Sequence, residues 1–137
     1  MKTLLTVTYT LSAMIFSALA SAAPADESAP ATIVEYRADE SLKTERHGLD
    51  VHVDETSLAR LTSEESIVAS GAPGTYVLDT SIPGSIPLAL ELKPGATHYV
   101  HTRLKMYGNR VVVELVEVEE QVARTQLPED TNALMAI

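Results

Sequence analysis

The sequence predicts an all-β fold: an antiparallel β-sandwich of about seven strands, Ig-like or prealbumin-like, with a short C-terminal helix. Three observations predict it. Apolar side chains occupy alternate positions in several short runs, as in IPLALEL at 86–92, which gives a strand one buried face. Turn signals built on Gly, Pro and Asp separate these runs at intervals of roughly 8–12 residues. The apolar residues are aliphatic: the chain has no Trp and a single Phe, Phe16, so Leu, Ile and Val must fill the interior.

Residues 1–22 read as a secretory signal peptide, with Lys2, an apolar stretch and small residues at Ala20 and Ala22 before the cleavage point. Residues 23–30 (APADESAP) read as a disordered linker. The sandwich domain is expected over 31–127, and 128–137 form a tail. ATIVEYR at 31–37 is a first strand, with Val34 and Tyr36 on one face and Ile33, Glu35 and Arg37 on the other. Polar residues 38–47 are a loop or a turn of helix. Residues 48–53 alternate most cleanly, with Leu49, Val51 and Val53 opposite Asp50, His52 and Asp54. Asp54-Glu55-Thr56 turns the chain into a short return strand at 57–61. Residues 62–70 are ambiguous, because Ser63-Glu64-Glu65 resembles a helix start on a segment too short to stand alone.

After Gly71-Ala72-Pro73-Gly74 comes a strand at 75–80, then a Pro83-Gly84 turn. The next strand places Ile86, Leu88, Leu90 and Leu92 on one face. Lys93-Pro94-Gly95-Ala96 reads as a type II turn, which suits a crossing between sheets better than a hairpin. Residues 97–106 and 110–118 are strands around Tyr107-Gly108-Asn109. In the second, Val111, Val113 and Leu115 give way to Val116 and Val118. Either a β-bulge near Leu115 or a strand buried on both faces at first and on one later explains that change of phase. Residues 119–127 are a short helix stopped by Pro128, and the apolar tail is a candidate for addition to a sheet edge.

Charge and composition narrow the function. The chain carries a formal charge of −9 from 10 basic and 19 acidic residues, which argues against nucleic acid or an anionic membrane surface as partner. With no Cys it lacks disulfides, thiolate metal sites and a lipid-bearing cysteine. The expected location is periplasmic or secreted, with no stable membrane anchor after cleavage near Ala22.

LKPGATHYV at 92–100 resembles the turn and tyrosine before the sixth strand of fibronectin type III domains, with one extra residue between Leu92 and Tyr99 that puts His98 in phase with Val100. A broader likeness covers residues 31–127. ATIVEYR, VHVDET, GTYVL, GATHYV and VVVELVEVEEQVARTQL stand in the order and spacing of a bacterial cell-envelope family catalogued as domain of unknown function 2846. That resemblance implies a β-sandwich without established catalytic residues. Many of its members are lipoproteins, and the anchor is not carried over to a chain without Cys.

The candidate site residues are few. Tyr99, His101 and Arg103, with Lys105, form an outward basic row on their strand, and Asp50, His52 and Asp54 form an acidic row on another. If the two strands are neighbours, the rows read as a solvated, ion-paired surface. The other reading is a binding patch of His52, Tyr99, His101 and Arg103. His98 and His101, three apart in a strand, face opposite sides and do not share a metal. No nucleophile elbow, metalloprotease helix motif or phosphate loop is present. The expectation is a non-catalytic envelope module without cofactor, its partner an unknown envelope protein. The alternative is a small-ligand or metal-binding domain using exposed His, Tyr and Arg.

Overall fold

The computed structural model describes residues 26–137; the expected signal peptide at 1–22 and the start of the linker lie outside them. It is an all-β sandwich with one short helix, as the alternation predicts. Among the described residues nine strands run β1 (Ala31–Tyr36), β2 (Leu49–Val53), β3 (Thr56–Leu61), β4 (Glu65–Gly71), β5 (Gly74–Thr80), β6 (Leu88–Leu92), β7 (Thr97–Tyr107), β8 (Arg110–Val118) and β9 (Asp130–Ala136), with α1 (Glu120–Gln126) before the last. One sheet has the order β8-β7-β1-β4-β9, the other β3-β2-β5-β6.

The pairing is mixed rather than purely antiparallel. β1 runs parallel to β7, and β4 runs parallel to β9. The ambiguous segment at 62–70 holds a turn at 63–64 and then strand, not helix. Glu64 takes φ +56, and β4 then pairs with β1 from Ala31↔Gly71 to Tyr36↔Ser66. Pairing with two strands outweighs a helix start that has too few residues to propagate. The tail adds to its own sheet, with the Ile137 N–H donating to the Ser70 carbonyl beyond the end of β9.

The Pro94-Gly95 turn carries the chain from one sheet to the other, with Gly95 at φ +67 and the Ala96 N–H donating to the Lys93 carbonyl. Residues 26–30 form a turn beside it, since the Gly95 N–H donates to the Ala29 carbonyl. The β7–β8 pairing is unbroken from Tyr99↔Val118 to Tyr107↔Arg110, so no bulge shifts the phase of β8. Its two faces are both covered: Val113 and Leu115 enter the inter-sheet core, and Val118 packs under α1. Ile86, expected in line with Leu88 and Leu90, precedes β6 and is 76% exposed.

The core between the sheets is aliphatic: Ile33, Leu49, Val51, Leu61, Ile67, Leu78, Leu90, Leu92, Val100 and Val113 are all buried. Burying each such side chain stabilises the fold by about 1.5–3 kcal/mol. A second, smaller layer lies on the outer face of the five-stranded sheet, where Ala123 of α1 meets Tyr36 and Ala38. Ala123 is fully buried, and a small side chain there lets the helix sit close to the sheet.

Candidate functional site

Parity along β1 and β7 decides what reaches each side of the five-stranded sheet. From β1, Ile33, Glu35 and Arg37 point toward the inside of the sandwich, and Tyr36 points out. From β7, His98, Val100, Thr102 and Leu104 share the inward phase, while Tyr99, His101, Arg103 and Lys105 share the outward one. Parallel register sets Tyr36 beside His101. Their rings stack with centroids 4.8 Å apart and planes 9° from parallel. The Tyr36 hydroxyl donates to Gln126 Oε1 at 2.7 Å, which ties the sheet to the end of α1.

Alternation predicts His101 outside the core and in solvent. It is outside the inter-sheet core but only 4% exposed. The covering comes from the chain leaving β1. Asp39 takes φ +55 and turns residues 38–47 back over β7, so that the Ala38 carbonyl lies 3.4 Å from His101 Nε2. Arg103 Nε donates to His101 Nδ1 at 3.3 Å, which leaves the proton on Nε2 to donate to Ala38. The ring is therefore neutral. Burial pushes its pKa below the ordinary 6.5, against the raising effect of the Ala38 hydrogen bond, and Arg103 adds to the lowering.

The loop is fastened from beneath by Arg37, which has no exposed side-chain surface. Its guanidinium meets both carboxylate oxygens of Glu40 and donates to the carbonyls of Thr44, His47 and Leu61. Nearby Glu35 is buried with Thr102 Oγ1 donating to it at 2.7 Å. Burial raises its pKa from 4.5 to about 7, only partly countered by that bond.

Between this loop and the outer row of β7 lies a groove of about 690 Å³, within the size range of ligand sites. Asp39, Lys43, His101, Arg103, Lys105 and Gln126 line it. Two of the four predicted patch residues, His101 and Arg103, thus line one groove, with Lys105 beside them. Tyr99 lies along the same row, half-buried against the α1 cluster. His52 does not join them. It lies on β2 of the other sheet and points out of the opposite side of the sandwich, opposite Asp79 on β5. The acidic row of Asp50, His52 and Asp54 is consequently not beside the basic row, because both sheets and the core lie between them. Asp50 pairs instead with Arg60 at 3.7 Å, and the Asp54 carboxylate accepts the Val77 N–H.

His98 faces the other way from His101, as three-residue spacing requires. Its Nδ1 lies 2.9 Å from Glu117 Oε1, and its Nε2 accepts the Lys93 N–H. Among the described residues, no three His, Asp or Glu side chains gather as metal ligands. Sequence reading missed Tyr36, Arg37 and Asp39 as site-builders. The one available signal was EYR at the end of β1, where charges alternate with a tyrosine just before a polar loop. The chain matches no protein-family profile, no curated protein and no solved structure. The likeness to the envelope family therefore rests on the residues alone.

Proposed function

We propose that this protein is an exported, non-catalytic β-sandwich module of the cell envelope that works by recognition at the outer-face groove. The observation that carries this reading is the state of His101. Both ring nitrogens are occupied, by a backbone carbonyl and by Arg103, so the ring is not held against a hydroxyl it could activate. Ser41, the serine of the groove, engages Thr44 instead. Arg103 by contrast uses only Nε on His101 among the described residues, leaving the rest of its guanidinium fork for a ligand. The order of motifs over 31–127 supports placing the chain with the envelope sandwich family described above. The leader at 1–22 supports export. A ligand or metal site shared by His52 and His101 is disfavoured, since those rings leave opposite sides of the sandwich.

Expression of the full chain, with cell fractionation and intact-mass measurement, tests the reading. A soluble envelope product beginning at Ala23 is expected, with no turnover of ester, peptide or phosphate-ester substrates. Retention of the leader, or turnover abolished by His101→Gln, would overturn it.

A further inference from the structure

A second groove, of about 570 Å³, continues from the first across Lys43 and Met106 toward the β7–β8 turn. The two together gather an unusual share of the chain's positive charge. Four of its 10 Lys and Arg line them: Lys43, Arg46, Arg103 and Lys105. Only two of its 19 acidic residues do so, Asp39 and Glu40, and Glu40 is neutralised by Arg37. Lys105 lies 3.5 Å from Glu114, whereas Lys43, Arg46 and Arg103 make no carboxylate pair among the described residues. Leu42 and Tyr107, 80% and 64% exposed, border the same surface. These two side chains add apolar contact area at the border of the basic grooves.

We propose that these two grooves form one docking channel for an extended acidic segment of a partner protein, its carboxylates meeting Arg103, Lys43 and Arg46 and its apolar side chains meeting Leu42 and Tyr107. The proposal rests on the recognition reading of the groove and names its partner's chemistry. The cations are strung along two adjoining grooves instead of converging on one point, which suits a chain of carboxylates better than a single small anion. The exposed Leu and Tyr have no counterpart in an inorganic ion. A nucleic acid carries a denser negative charge than a peptide with apolar residues interspersed, so the molecule's surplus of carboxylates repels it more strongly.

Fluorescence anisotropy on the purified protein tests this directly. The probe is a labelled pool of short random peptides rich in Asp, Glu and Leu. The comparators are a pool with Lys in place of the acids, inorganic phosphate, and vesicles of anionic phospholipid. The acidic pool is expected to bind and to weaken with salt, and the basic pool to stay free. Arg103→Gln and Arg46→Gln should each weaken binding by about tenfold, while Arg60→Gln on the other sheet leaves it unchanged. Arg46 is exposed, so its substitution does not depend on the variant keeping a buried contact. Absence of binding, equal binding of the two pools, full displacement by phosphate, preference for vesicles, or an equal loss in Arg60→Gln would each overturn the proposal. None of these outcomes bears on export, which fractionation reads separately.

Discussion

His52 on β2 and His101 on β7 both point away from the inter-sheet core. His52 lies half-buried on the outer face of the four-stranded sheet, beside the exposed Asp50–Arg60 pair, whereas His101 is buried beneath a loop and a tyrosine ring. The two sheets carry the same alternation in sequence. They differ in their covering. Residues 38–47, after β1, and α1, after β8, fold back over one outer face, and among the described residues no such segment covers the other. Outward parity sets which side of a sheet a side chain takes; it does not set whether that side is wet. The same contrast separates two arginine–carboxylate pairs. Arg37–Glu40 is enclosed under the loop, with side-chain exposures of 0% and 2%, and Arg60–Asp50 stands in solvent at 64% and 43%.

Breaking the enclosed pair is expected to have the largest effect. Arg37→Ala strands the Glu40 carboxylate and three backbone carbonyls, and should cost about 3–5 kcal/mol in urea unfolding at neutral pH. A loss below about 1 kcal/mol would mean that the loop is not fastened from beneath. Next comes pH. The Glu35 carboxyl titrates near 7 in the fold against 4.5 ordinarily, so the folded state holds the extra proton between those values. Stability then falls as pH rises through that window. Glu35→Gln keeps an acceptor for Thr102 and should flatten this slope, raising stability at pH 8 by on the order of 3 kcal/mol. His101 acts in the opposite sense. Its lowered pKa makes the unfolded chain the better proton acceptor, so stability declines as pH falls below 6.5. The smallest expected effect is on the open face. Arg60→Ala should change stability by less than about 1 kcal/mol, and by less still in high salt. A larger loss would erase the contrast between the two faces.

Much of the fold was legible because local signals agreed with one another. β2, β6, β7 and β8 alternate, and the Pro94-Gly95 turn carries its own φ requirement at Gly95. β4 was hidden by Ser63-Glu64-Glu65, whose local preference for a helix start loses to pairing with β1 and β9. The parallel pairings were invisible, because nothing in residues 31–36 names 97–101 as their neighbours. The site was legible only in part. His101 and Arg103 stood out as an outward pair, but the groove exists because Arg37 holds a loop over them. That contact joins residues whose roles no spacing in the sequence announces.

The five-stranded sheet contains both the first and the last strand of the described residues, Ala31–Tyr36 and Asp130–Ala136. A nascent polypeptide therefore cannot finish this sheet before Asp130–Ala136 is made. Until residues 130–136 emerge, one edge of β4 is left as a bare template for any passing extended chain. Assembly waits on distant partners, and loop-closure entropy makes such encounters slow.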